Sequence, residues 1–177
     1  LITLPDNKTC LVKDIPRDAL AWRNAPIINK WCRQVTDISS FSHSRWLEKI
    51  ETDPTIEMYG ILDKSKVMVQ MLDLEIGVCG FTSINHINQS AEFSLYIAPK
   101  YQKKGFGADA LRLLCNHGFK SMNLNRIWGE VFIGNPAMKI FQQLGFVLEG
   151  HLRQSYFKDG KFIDSEIISL LRGEACL

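Results

Sequence analysis

The sequence predicts an α+β fold, a mixed but mostly antiparallel sheet of about seven strands flanked by helices. Three observations carry this. Helical patterns fill much of roughly the first fifty residues. Runs rich in β-branched and aromatic residues then follow one another with only turn material between them. A single strand–loop–helix–strand crossover comes next, and the chain closes on a hairpin. At 177 residues the chain has room for one ordinary domain, so 1–177 is read as a single unit.

A short strand is expected near Cys10 to Lys13. Leu20, Trp22 and Ile27-Ile28 surround RNAP, where Pro26 interrupts a helix. A second helix runs from about Ser42 to Glu51, with Trp46, Leu47 and Ile50 on one face and Asp53-Pro54 closing it. TIEMYGILD, KVMVQMLDLEIGVCGFTSI and AEFSLYIA read as an antiparallel meander, divided by Asp-Lys-Ser and Asn-Gln-Ser turns. Farther on, Asp109, Arg112, Asn116 and Lys120 make a polar stripe at helical spacing, opposite Ala110, Leu111, Leu113, Leu114 and Phe119. RIWGEVFI is a strand. The short helix after it has Asn135 as N-cap, Pro136 at its first position and Gly145 at its C-terminal end. FVLEGHLRQSYF and KFIDSEIISLL pair as a hairpin turned at Asp159-Gly160.

Composition narrows the function. Hydrophobic residues make up 46% and charged residues 23%, as in folded globular proteins. A net charge of +2 gives no electrostatic reason for a nucleic-acid or membrane partner. No apolar run approaches the roughly 18 residues of a spanning helix. LITLPDNKTC shows no signal-peptide pattern, and the missing initiator Met suggests a trimmed or recombinant start. Cys10, Cys32, Cys79, Cys115 and Cys176 form no C-x-x-C pair, and the four histidines form no H-x-x-x-H. Reduced, mostly buried thiols, no metal and a cytoplasmic setting are therefore expected.

KYQKKGFGADA is the stretch that points to chemistry. Two glycines at alternate positions, lysines before them and a helix after them describe an anion cradle. Gly105 to Ala110 satisfies G-x-G-x-x-G/A, the dinucleotide-binding pattern. A dinucleotide fold, however, repeats βαβ units and opens on its glycine turn, whereas this turn lies past the midpoint and follows hairpin-linked strands. Its acid about 20 residues on could only be Glu130. A solvated glycine turn holding no ligand is the third reading of the same residues.

Gln102-Lys103-Lys104-Gly105-Phe106-Gly107 also fits Q/R-x-x-G-x-G/A, and here the sequence resembles the GNAT superfamily of acyl-CoA-dependent N-acetyltransferases. AEFSLYIAPKYQKKGFG is similar to that superfamily's central strand and loop, and GNPAMKIFQQLGF to its following helix. LEGHLRQSYFKDGKFIDSEIISLL and WRNAPIINKW resemble its RimJ/RimL-like branch. The resemblance implies a splayed central strand and acetyl-CoA as co-substrate. It also implies an amine acceptor, either a small molecule (an amino sugar or polyamine) or a peptide N-terminus, and leaves room for a homodimer. The alternatives are a non-catalytic CoA- or nucleotide-binding module and a Rossmann-like protein.

Carried over, the resemblance assigns pyrophosphate binding to Gln102, Lys103, Lys104, Gly105, Phe106, Gly107 and Ala108. Successive backbone N–H groups there can converge on phosphate above a helix N-terminus. It gives the pantetheine arm to the backbone of Leu95, Tyr96 and Ile97, and adds Asn135 and Lys139 to the cofactor contacts. Direct transfer must orient the amine, remove its proton and stabilise an oxyanion and a leaving thiolate. Glu92 matches a general-base position, with a solvated strand-end residue as the plain alternative, and Tyr96 or Ile97 N–H is the expected oxyanion donor. Two departures stand out. Phe141 replaces the superfamily's frequent acid tyrosine, so a water, the substrate's own proton or Tyr156 must serve the thiolate. Asn135 also lies one residue nearer the Gly-Phe pair than usual. On the acceptor side, Arg23 and Arg33 suit a carboxylate or phosphate. Glu48, Glu51, Asp53 and Glu57 are the acids a polyamine pocket would call on.

Overall fold

The computed structural model describes residues 1–68 and 74–175. Seven strands form one sheet in the order β1-β2-β3-β4-β5-β7-β6. They are β1 Thr9–Val12, β2 Glu57–Asp63, β3 Glu75–Asn85, β4 Ser90–Ile97, β5 Arg126–Phe132, β6 Val147–Lys158 and β7 Lys161–Leu171. β4 and β5 run parallel, and the other neighbours are antiparallel. The helices are α1 Ala19–Asn24, α2 Pro26–Asn29, α3 Ser40–Thr52, α4 Lys64–Met68, α5 Phe106–Lys120 and α6 Met138–Gln143. None of them is long and apolar enough to cross a membrane.

Alternation along the strands sorts the side chains into two layers. Phe93 and Ile97 of β4 and Ile127 and Val131 of β5 meet Leu111 and Leu114 of α5 and Phe141 of α6 in the larger core. On the opposite face Ala19, Met58 and Val78 form a smaller core, with Trp46 and Ile50 of α3 and Tyr96 packed against it. The two faces of β4 therefore do different work. Phe93, Leu95 and Ile97 face α5, whereas Glu92, Ser94 and Tyr96 look toward α1 to α3.

Local signals act where expected. Pro26 sits in the first turn of α2 after α1 ends at Asn24. Gly145, at φ +92°, terminates α6. Its N–H donates to Gln142 O at 3.0 Å while Phe146 N–H donates to Phe141 O at 3.0 Å, the paired bonds of a Schellman cap. Asp159 (φ +52°) and Gly160 (φ +75°) turn the last hairpin in the left-handed region that a type I′ turn needs.

Two expectations are corrected and a third is extended. Lys66 to Met68 belong to α4 rather than to a strand, and residues 69–73 of that reading lie outside the described residues, as does Cys176. Asn135 does not cap α6 itself. Its Oδ1 accepts from Ala137 N–H at 3.0 Å, one turn before the helix begins. The polar stripe of α5 is not solvated throughout, because Asp109 and Asn116 are buried. Asp109 Oδ2 accepts from Thr9 N–H at 2.9 Å and from Thr9 Oγ1 at 2.6 Å. A carboxylate in the first turn of a helix also suits its dipole, so Asp109 both favours α5 and clamps it to β1.

Candidate active site

The sheet opens in its middle. β4 and β5 pair only at Ser90–Arg126, Ala91–Ile127 and Glu92–Trp128, and the two strands then part. Phe93 stands at the fork. A Cβ on Gly129 would lie 2.5 Å from its ring, so the missing side chain makes room for the phenyl wedge. Phe141 and Phe146 pack edge-on against Phe93 at 5.2 and 5.1 Å. Beyond the wedge lies a cleft of about 660 Å³, bounded by β4, β5, the loop before α5, and the segment around α2.

Backbone polarity in this fork follows from two bonds. Ala98 N–H donates to Ile76 O at 2.8 Å, toward β3, and Arg126 N–H donates to Gln89 O at 3.1 Å, from β5. Alternation then turns the N–H and C=O groups of Phe93, Leu95 and Ile97 to the open side and those of Tyr96 to its partner Val78. The donor expected at Tyr96 is therefore corrected, since its N–H belongs to the ladder with β3. Leu95 and Ile97 present the open edge, with Ile97 O taken by Gln102 Nε2 at 3.0 Å. Tyr96 contributes a ring instead. Arg23 lies over it at 5.5 Å, and burial pushes its phenol well above the usual range.

The glycine loop leads into α5. Gly105 has φ +88° and Lys103 φ +61°. The first helical bond runs from Asp109 N–H to Gly105 O at 3.2 Å, so the N–H groups of Phe106, Gly107 and Ala108 precede the ladder and face outward. The two glycines serve different ends. Gly105 holds a left-handed conformation, and its Cβ would meet only Lys8 Nζ, at 3.8 Å. A Cβ on Gly107 would enter the gap toward Ile97 at 3.6 Å. A methyl at Gly107 would narrow the space beside these free N–H groups. Lys8, which sequence reading missed because it lies on the far side of the chain, adds a cation there.

Other expected contacts sort clearly. Gln102, Lys103, Gly105, Gly107, Ala108 and Asn135 line the cleft. Phe106 packs edge-on against Tyr101 at 6.3 Å, and Lys104 Nζ lies 5.3 Å over the Tyr101 ring. Lys139 is exposed on α6, outside the lining of the cleft. No cluster of three or more metal-ligating side chains occurs among the described residues. Cys32 reaches the cleft wall, where burial raises its thiol pKa, and its Sγ donates to Ile28 O at 3.2 Å.

Glu92 is no solvated strand end. It is 6% exposed and carries a charged partner, with Arg33 Nη2 at 2.5 Å from Oε1. Thr82 Oγ1 lies 3.5 Å from its other oxygen. Arg33 Nη1 is 3.6 Å from Glu130 Oε2, which also accepts from Tyr156 OH at 2.8 Å, while Glu130 Oε1 accepts from Ser165 Oγ at 2.5 Å. Burial works against the Arg33 charge, but the Glu92 carboxylate and Tyr156 favour it, and its pKa is raised. Burial and the bond to Glu130 raise the Tyr156 phenol. Sequence reading had set Glu130 aside, because its pairing across β5 and β7 has no local signature. The acids proposed for a polyamine lie elsewhere: Asp53 with Lys49 at the end of α3, and Glu57 with Lys13 and His117.

The segment carrying Arg33 is held from the hairpin. Lys158 is 4% exposed, and its three N–H groups are shared among Asn29 O (2.6 Å), Asn29 Oδ1 (2.9 Å), Cys32 O (2.9 Å) and Gln34 O (2.8 Å).

A sheet forked at its centre, an anion cradle at one end of the fork and a buried carboxylate at the other define an acyl-CoA-dependent acyltransferase. The family model described as Acetyltransferase (GNAT) domain matches residues 12–147, and the chain belongs to that family. It is 33% identical over 150 residues to an uncharacterised N-acetyltransferase, p20, of Bacillus licheniformis, covering 84% of this chain and 83% of that one. It is 35% identical over 100 residues to a spermidine N(1)-acetyltransferase of Vibrio cholerae, covering 56% and 58%. The crystal structure of the spermidine N-acetyltransferase of Vibrio cholerae in complex with CoA and spermine superposes with a TM-score of 0.83 at 26% identity, over 94% of this chain and 97% of that one. The chain is thus an N-acetyltransferase with acetyl-CoA as donor, and the dinucleotide-binding and non-catalytic readings fall.

Proposed function

We propose that the chain acetylates a primary amine that enters as an ammonium ion and is received by Glu92, on the face of β4 opposite α5. The observation that supports this most is the buried Glu92 carboxylate at the last paired residue before the fork. Bound acetyl-CoA supplies the activated acetyl group. The N–H groups of Phe106, Gly107 and Ala108, with Lys103 and Lys8, hold its phosphates. The open edge at Leu95 and Ile97 orients its amide arm and offers a donor to the developing oxyanion. Glu92 takes the ammonium proton, which later returns to solvent; the C–N bond forms, the C–S bond breaks, and the second proton shed by the nitrogen passes through water to the thiolate. Phe141 has no proton to give, and the Tyr156 hydroxyl is committed to Glu130. The Cys32 thiol is engaged with Ile28 O, and direct transfer asks for no thiol nucleophile.

The acceptor in this reading carries one ammonium group and is a small molecule or a peptide N-terminus, in keeping with the RimJ/RimL-like hairpin. Two carboxylates lie at the floor of the cleft, but Arg23, Lys30 and Arg33 stand around its mouth, where a second cation would be repelled. A polyamine is the second reading, favoured by the two spermidine enzymes to which the chain is similar. A panel of monoamines, amino sugars, short peptides and polyamines, followed by thiol release from acetyl-CoA, separates them. Glu92→Gln should slow the best substrate by roughly 10²–10⁴-fold while acetyl-CoA affinity barely changes. Wild-type turnover in that variant removes Glu92 from the mechanism.

A further inference from the structure

We propose that Arg33 is a resident stand-in for the substrate: its guanidinium occupies the ammonium site at Glu92 and swings out when an amine arrives. The inference rests on the reading that Glu92 receives the acceptor. Its own support is an asymmetry in how the two carboxylates are satisfied. Without Arg33, Glu130 keeps the Tyr156 hydroxyl at 2.8 Å and Ser165 Oγ at 2.5 Å. Glu92 would keep only Thr82 Oγ1 at 3.5 Å, the outer limit of a hydrogen bond. A buried carboxylate stripped of its cation is strongly disfavoured. Arg33 therefore stays until another cation can replace it.

The geometry also lets it leave. The Arg33 side chain is 45% exposed against 7% for Glu92, so it reaches in from the mouth of the cleft rather than being walled inside. Its main chain is fixed on both sides, at Cys32 O and Gln34 O, by Lys158, and Arg23 Nε donates to the Gln34 side chain at 3.0 Å. Exchange is thus a rotation about side-chain bonds and needs no opening of the loop.

Two consequences follow. An acceptor must bring a full positive charge, so alkylammonium ions displace Arg33 and weakly basic arylamines of similar size do not. And while no amine is bound, Glu92 is unable to activate water. Acceptor-free hydrolysis, in which water oxygen bonds to the acetyl carbon, the C–S bond breaks and the water proton passes by way of Glu92 to the thiolate, is suppressed.

Arg33→Ala tests both, with free guanidinium ion as the probe. The variant should hydrolyse acetyl-CoA about tenfold faster or more without amine, should have a lower KM for alkylamines, and should lose part of its alkyl-over-aryl preference. Low millimolar guanidinium should inhibit it, competitively with the amine, whereas the wild type should need a much higher concentration because Arg33 competes for the same carboxylate. Arg33→Lys, which keeps a cation on a shorter reach, should fall between the two, and circular dichroism checks that all variants fold. The proposal is overturned if Arg33→Ala loses turnover with no gain in hydrolysis, or if guanidinium rescues rather than inhibits, because Arg33 would then be a permanent orienting group. A wild type that acetylates no amine would instead refute the proposed function. Guanidinium binding to Arg33→Ala, read by calorimetry, would still report on the site.

Discussion

Replacing Lys158 with methionine keeps the apolar stem and deletes the head that ties the last hairpin to the cleft. The deleted group serves four acceptors at 2.6 to 2.9 Å, three of them main-chain carbonyls. A buried carbonyl left without a donor costs about 1–3 kcal/mol. Two effects reduce the sum. Much of the segment from 30 to 38 borders solvent, so water can serve some of the freed carbonyls. The variant also no longer has to strip an ammonium of its hydration. We expect a net loss of about 2–4 kcal/mol. At about 2–4 °C per kcal/mol for a chain of this size, Tm should fall by about 4–16 °C. Because the loosened segment carries Arg33 and Trp31 but none of the phosphate cradle, KM for the amine should change while acetyl-CoA affinity holds. Thermal melts, with steady-state kinetics at saturating acetyl-CoA, read both. Unchanged Tm together with unchanged amine KM would refute the tether, and a matching loss of acetyl-CoA affinity would refute its confinement to the acceptor side.

The two glycines of the loop should respond in opposite ways. Gly105→Ala forces a Cβ onto a residue at φ +88° and should destabilise the free protein by about 1–2 kcal/mol. Gly107→Ala replaces a glycine in the first turn of α5, so the free protein should melt no lower and up to about 1 kcal/mol higher. Its stabilisation by added acetyl-CoA should shrink, because the methyl enters the gap toward Ile97. Melts with and without acetyl-CoA decide, and equal behaviour of the two variants would contradict the division of roles. On pH, the hydrogen bond from His117 and then that from Lys13 hold the Glu57 carboxyl below its usual value of 4.5. A carboxyl depressed on folding contributes stability that is complete above 4.5 and lost as pH falls through the folded value. Glu57→Gln should therefore be less stable than wild type near neutrality, by about 0.5–1.5 kcal/mol, with the gap closing in acid. Urea midpoints across the acid range check it, and a gap that widens in acid would reverse the sign.

What could be read in the sequence depended on how far apart the interacting residues lie. The Gly145 cap, the Asp159-Gly160 turn and the Gln102–Ala108 loop each hold their signal within a few residues, and each was found. Val67 and its apolar neighbours suggested a strand, yet Lys64 to Met68 coil into a helix, since a short apolar run has no period of its own. Asp109 reads in the sequence only as a member of a polar stripe, because its partner Thr9 is 100 positions away. Lys158 and Glu130 were passed over for the same reason. The former meets its acceptors 124 to 129 positions away, and the latter joins Arg33 and Tyr156 through register across β5, β6 and β7. Glu92 itself was visible only through resemblance, and its burial and its guanidinium partner were not visible at all.

An unfinished strand at the rim of a sheet invites another chain to add to it. This molecule keeps its unfinished edge at the centre, between β4 and β5, where Phe93 fills one face of the fork and Gly129 leaves no room beyond the ring. A polypeptide strand brings a side chain on each face and cannot thread that slot. A methylene chain interrupted by two amides can. On the proposed reading the fork is a filter on thickness, open to the arm of the donor as a surrogate strand and closed to peptides that would match the same hydrogen bonds, and it keeps an unpaired edge off the outside of the sheet.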